Sequence, residues 1–311
     1  LFRSSGPLIP APRTTTSLAR LLSGWAAGGF GFVVVWLGGW WFTAAVGLIV
    51  HLGLLEFFRM AQFTGIRPAV RTTLVAVQLL LISTQAAAGS GWFVPEVAAD
   101  VAAAVLPASG AVICGWLLLQ PTTGTIADIA ASVFGLFYLG FLPSHWIKLR
   151  DLADPALAPG LVNTTLPGTP WLWTSGLAIT LLACFLIVAT DLGAYAIGRR
   201  WGRHSLSPIS PGKTVEGALG GLGCAVLVGA LGGIWLGWHW GPCLGGLLGA
   251  VVSVFALVGD LTESMMKRDA GLKDSGDAIP GHGGILDRID SYLFVPAVVY
   301  SMVTLLYPLA Q

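Results

Sequence analysis

The sequence predicts an all-α protein, a polytopic integral membrane protein of about nine transmembrane helices with a polar active site on the cytoplasmic side. Three observations lead there. Hydrophobic residues make up 55% of the 311 positions, mean hydropathy is +0.80, and only 16 basic and 15 acidic side chains are present. A water-soluble domain of this length cannot cover its surface with so few charges. Net charge is +1, so the distribution of charge carries the information and its total does not.

The elements follow in order. Residues 1–17 read as a cytosolic tail; Arg3, Arg13 and Arg20 without an acid also fit a targeting segment. The apolar run from Leu18 to Phe58 is too long for one crossing, and "GGWW" at Gly38 to Trp41 offers a tight turn with interfacial tryptophans, so a hairpin of two spans is expected. Further spans fall at about 70–88, 100–119, 126–146, 173–197, 217–238, 243–262 and 289–307. Residues 18–170 are expected to form an N-terminal membrane region and 171–311 a C-terminal catalytic one; the acids also divide unevenly, six before residue 190 and nine after it. No clear repeat relates the halves, which weighs against an inverted-repeat transporter. Cys114, Cys184, Cys224 and Cys243 lie apart in or beside apolar runs and read as small buried residues.

Sidedness is testable, since Lys and Arg gather on the cytoplasmic face. Nine spans with the N-terminus inside place 14 of 16 basic residues there, with Lys148 and Arg150 as exceptions beside Asp151 and Asp154. The charged loops 198–216 and 263–288 then share one face and can build one site.

The acids concentrate at that face. Asp260, Glu263, Ser264 and Lys267 are spaced i, i+3, i+4, i+7 and share one face of a helix; Asp287, Asp290 and Ser291 repeat the geometry at the last span. Carboxylates at a bilayer edge are costly unless paired or bound to a cation. A pair from two helices suits Mg²⁺, which takes one or two carboxylates and completes its shell with waters and phosphates. The alternative is that Asp260 pairs with Arg288 or Lys267 and ties the helices. Lys267, Arg268, Lys273 and Arg288 are donors for phosphate oxygens. "PGHGG", Pro280 to Gly284, allows a tight turn and close backbone approach, although by itself it fits an ordinary turn, with His282 as an exposed loop residue.

In the other loop, Asp191, Tyr195 and Arg199 form a polar stripe at i, i+4, i+8. Arg199, Arg200, Arg203, His204 and Lys213 form a basic cluster that also fits simple attraction to anionic lipid heads. Lys213 precedes a new helix in "SPGKTVEG", with Thr214 and Glu216 behind it, where the helix N-terminus favours phosphate; the stretch is not a P-loop. No Ser-His-Asp, Cys-His or zinc-ligand spacing appears, nor the signature typical of CDP-alcohol phosphotransferases.

"SMMKRDAGLKDSGDAIPGHGGILDRID", Ser264 to Asp290, resembles the signature of the phosphatidate cytidylyltransferases, S-x-x-K-R-x₄-K-D-x₅-P-G-H-G-G-x-x-D-R-x-D, with every fixed position filled. "SLSPISPGKTVEG", Ser205 to Gly217, is similar to a second family stretch. The resemblance implies that CTP and phosphatidic acid give CDP-diacylglycerol and pyrophosphate with Mg²⁺, and that a second, monovalent cation shares the carboxylates. It implies Asp260 and Asp287 as metal ligands, Asp290 as an additional or supporting ligand and Ser264 as a polar contact. Lys267, Arg268, Lys273 and Arg288 would then meet the triphosphate or the phosphatidate head, and His282 would polarise a phosphate oxygen. Ser210, Lys213, Thr214 and Glu216 would line the opposite wall, with Asp191 and Tyr195 near the nucleotide. Acyl chains would enter sideways from the cytoplasmic leaflet. A homodimer in a bacterial plasma membrane is expected, with membrane lipids and no nucleic acid as partners. Two other classes compete: a CTP-dependent polyprenol or phytol kinase, against which the complete PGHGG-x-x-DR-x-D run argues, and a cation-coupled transporter, whose acids belong nearer the midplane.

Overall fold

The computed structural model describes residues 28–88, 95–162, 174–276 and 283–310. The predicted tail, the expected boundary at residue 170 and His282 lie outside them. Among the described residues the regular elements are all helices, and an isolated β-bridge joins Ser205 to Thr214. In chain order come α1 (Gly28–Leu37), α2 (Gly39–Phe63), α3 (Val70–Ala88), α4 (Pro95–Leu118) and α5 (Ile126–Leu136). A π-helical turn (Phe137–Phe141) carries α5 into α6 (Leu142–Arg150), and the short α7 (Pro159–Val162) follows. Then come α8 (Ser175–Trp201), α9 (Val215–Trp235), α10 (Gly241–Asp269) and α11 (Leu286–Ser301), the last continuing in short turns to Ala310.

Each expected span has a helix at its position. Six are long and apolar enough to cross a bilayer: α2, α3, the continuous α5–α6, α8, α9 and α10. Gly28–Leu37 and Ala103–Leu118 are apolar but shorter, and α11 has 16 regular residues. Leu48, Leu79, Leu227 and Leu231 project outward, as lipid-facing side chains do. The expected break at "GGWW" occurs at Gly38 and Gly39, both with positive φ (64° and 52°), a conformation that suits glycine.

Hydrogen bonds sort the helix ends onto two faces. At one face Asp128 Oδ1 accepts from Arg67 N (2.6 Å), joining the α2–α3 turn to the start of α5, whose N-cap is Thr125. At the other, Arg150 Nε and Nη2 donate to the carbonyls of Val35 (2.6 Å) and Trp36 (3.0 Å) and so satisfy the end of α1. Asp151 Oδ2 accepts from Gln85 (2.6 Å), and Lys148 sits 5.9 Å from the Tyr300 ring. The two basic residues that break the sidedness pattern thus have local structural employment. The Asp151 carboxylate is pushed up from its ordinary value, first by burial, with Gln85 and Arg150 opposing.

Helices α9 and α10 pack with backbones almost touching. A Cβ on Gly233 would lie 2.0 Å from the Gly241 carbonyl oxygen, and one on Gly249 2.1 Å from that of Ala225. Without a hydrophobic driving force between helices in lipid, such small residues supply the contact. Further along, a Cβ on Gly259 would lie 2.3 Å from the Asp290 carbonyl oxygen, so α10 and α11 are equally tight where they carry their acids.

Candidate functional site

Helix α10 runs past the expected end of its span, through Glu263, Ser264, Lys267 and Arg268 to Asp269. The extension is held from α11: Lys267 Nζ lies 2.6 Å from Glu263 Oε2 and 2.6 Å from Asp287 Oδ1. Glu263 is completely buried and Ser264 is buried beside it. A buried carboxylate needs a countercharge, and one ammonium shared by two acids supplies it.

The α10–α11 loop closes over this pair. Asp287 Oδ2 accepts from Ser275 N (2.9 Å), Ser275 Oγ (3.0 Å) and Gly284 N (2.8 Å). Gly283 turns with φ 82°, as the glycine-rich stretch suggested. Glu56, from the middle of an apolar run in α2, caps the last helix: its oxygens accept from Ile285 N (2.9 Å), Leu286 N (2.8 Å) and Ser275 Oγ (3.0 Å). Sequence reasoning passed over Glu56. The signal was present, because a lone acid within "LLEFFRM" is as costly in a bilayer as Asp260.

The α8–α9 loop is an ordered hairpin. Leu206 N donates to Lys213 O (2.8 Å) and Val215 N to His204 O (2.9 Å), while Thr214 accepts from Gly217 N (3.1 Å) as N-cap of α9. Lys213 N donates to Ser210 O (3.1 Å) at the turn. Glu216 faces back and accepts from Arg203 N (3.0 Å) and His204 N (3.2 Å), with His204 Nδ1 2.6 Å from its other oxygen. The hairpin aims Lys213, and Lys213 Nζ pairs with Asp260 Oδ2. Asp260 therefore has a lysine from the other loop, where Arg288 or Lys267 was the partner expected for a purely structural tie. Arg268 also joins the loops, donating to Ile209 O (3.4 Å) and Leu272 O (3.2 Å).

Asp191 on α8, Asp260 on α10 and Asp290 on α11 lie within electrostatic reach of one another, with Lys213 among them. One ammonium against three carboxylates leaves negative charge for a cation to offset. Asp260 and Asp287 thus belong to two neighbouring charge groups, one around Lys213 and one around Lys267. Tyr195 is drawn to Arg199 (Nη1 to Oη 2.8 Å), and Lys273 and Arg288 are exposed at the same end. Among the described residues no three Asp, Glu, His or Cys side chains are grouped to hold a metal.

Residues 18–306 match the Cytidylyltransferase family. A phosphatidate cytidylyltransferase of Synechocystis is 47% identical over 296 residues, covering 93% of this chain and 97% of that protein. Phosphatidate cytidylyltransferase 4, chloroplastic, of Arabidopsis thaliana is 40% identical over 284 residues, 87% of this chain and 69% of that protein. In Staphylococcus epidermidis a phosphatidate cytidylyltransferase is 47% identical over 123 residues, 39% of this chain and 47% of that protein. With a match running through every helix that carries the clustered acids and lysines, the chain belongs to the cytidylyltransferase family.

Proposed function

We propose that this protein transfers the cytidylyl group of CTP to phosphatidic acid, releasing pyrophosphate and forming CDP-diacylglycerol for phospholipid synthesis. The observation that carries the reading is the Lys213–Asp260 pair, which joins the two polar loops beside Asp191 and Asp290 at one end of a membrane bundle. The named relatives support the choice of substrates.

The reaction needs no protein nucleophile. A phosphate oxygen of the lipid attacks the α-phosphorus of CTP, the new oxygen–phosphorus bond forms, and the bond to the β-phosphate oxygen breaks with its electrons. The protein must position two anions and neutralise their charge. Lys213 holds one acid and Lys267 two, and both can turn their donors to arriving phosphates. Arg268, Lys273 and Arg288 add positive charge at the same end. Asp260 and Asp287 are the proposed residues that would hold Mg²⁺, with Asp290 and Asp191 adjoining Asp260, and the ion would supply positive charge against the phosphates. A monovalent cation beside it is part of the same reading. Ser264, Ser210, Thr214, Glu216, Tyr195 and His282 complete the site in this reading.

This end faces the cytoplasm of a bacterial plasma membrane in our proposal, because Arg59, Arg67 and Arg71 gather there with the basic residues of both loops. The working unit is a homodimer, as the family resemblance implies, which a mass measurement in detergent checks. Incubating purified protein with phosphatidic acid, Mg²⁺ and each of the four nucleoside triphosphates tests the reading: pyrophosphate should appear with CTP alone. Pyrophosphate-free turnover, or equal rates with all four, would refute it.

A further inference from the structure

Tyr138 is 0% exposed, yet its hydroxyl has no hydrogen-bond partner among the described residues. A buried unsatisfied hydroxyl is destabilising, and phenylalanine would pack equally well there unless the hydroxyl is used. The ring is firmly placed. It belongs to the π-helical turn Phe137–Phe141, stacks on Phe134 with centroids 5.0 Å apart, and lies 5.5 Å from Phe294. Single π turns recur at functional sites. Phe294 follows Asp290 by four residues on α11, so the ring packs on the helix face that carries Asp290. The carboxylates whose charge reaches the hydroxyl are Asp290, then Glu263, then Asp260. Asp290 Oδ1 accepts from Ser291 N (2.7 Å), which leaves Oδ2 for another donor.

We propose that Tyr138 is a positioning residue whose hydroxyl donates through one buried water to Asp290 Oδ2 and holds that carboxylate towards Asp260. Without that bond, Asp290 can turn away from the cation and the triphosphate it serves. The use made of the held carboxylate rests on the function proposed above; the hydroxyl–carboxylate bond itself does not.

The test separates the two. Thermal unfolding of the full chain in detergent, without ligands, is compared for the parent, Tyr138→Phe, Asp290→Asn and the double variant. Tyr138→Phe should lower the midpoint by about 3 °C in the parent and by under about 1 °C in the Asp290→Asn background. Equal shifts in both backgrounds, or a more stable Tyr138→Phe, would overturn the proposal. In CTP-dependent transfer, Tyr138→Phe should reduce kcat about tenfold and raise the half-saturating Mg²⁺ concentration, with the KM for CTP within about twofold. An unchanged kcat and Mg²⁺ requirement would likewise overturn it. Coupled unfolding in a protein that leaves CTP untouched would keep the hydroxyl bond and discard the cytidylyl reading.

Discussion

Glu56 Oε2 accepts a hydrogen bond from the backbone nitrogen of Leu286 at 2.8 Å, so a carboxylate from the second helix caps the last one, 230 residues away. Its second oxygen takes Ile285 N, and Ser275 of the α10–α11 loop donates to the first. The first half of the chain therefore shapes the half that carries the signature.

Glu56→Ala should destabilise the protein by about 1–3 kcal/mol, because two amides at the start of α11 lose their acceptor. Glu56→Gln, which keeps one carbonyl oxygen, should cost less. Unfolding midpoints of the two variants in detergent check the order; equal stability of parent and Glu56→Ala would dismiss the capping role.

Lys213→Ala should raise the KM for CTP about tenfold or more, the scale expected for one lost charge-assisted contact. The same change leaves Asp260 beside Asp191 and Asp290 without its lysine. Steady-state kinetics at saturating Mg²⁺ read the effect, and an unaltered KM would remove Lys213 from the nucleotide.

Gly259→Ala should disrupt the site without touching a charged group. The added methyl carbon would lie 2.3 Å from the Asp290 carbonyl oxygen, so α11 has to move at the carboxylate cluster. Overpacking of this kind costs about 1–3 kcal/mol, and turnover should fall with stability. Normal activity and melting would mean that the helices can part there freely.

Chelation of divalent cations should abolish transfer, and Mg²⁺ should restore it. Asp260→Asn should require more Mg²⁺ than the parent for half-maximal rate, since the remaining acids hold the ion less strongly. Activity that persists in excess chelator would refute the metal assignment for both Asp260 and Asp287.

Much of this was legible in the chain. Apolar runs located the long helices, and the i, i+3, i+4, i+7 spacing put Glu263 and Lys267 on one face, where they pair. The pairing of Lys267 with Asp287 was not visible, because Asp287 is 20 positions away and on another helix. The Lys213–Asp260 pair had the same origin: hairpin closure by Leu206 and Val215 sets where the lysine points, and spacing along one helix does not encode it. Glu56 and Tyr138 were missed for a different reason. Each stands alone in an apolar run, and only the fold supplies the amides or carboxylates that make a polar atom worth burying.

The most direct measurement follows the label from CTP into lipid. Purified protein is given phosphatidic acid, Mg²⁺ and CTP labelled at either the α- or the γ-phosphate, and the lipid is extracted. The account predicts that α-label enters the lipid, that γ-label leaves as pyrophosphate, and that Asp260→Asn lowers the lipid signal at limiting Mg²⁺. Lipid carrying the γ-label would make the protein a kinase and contradict the account.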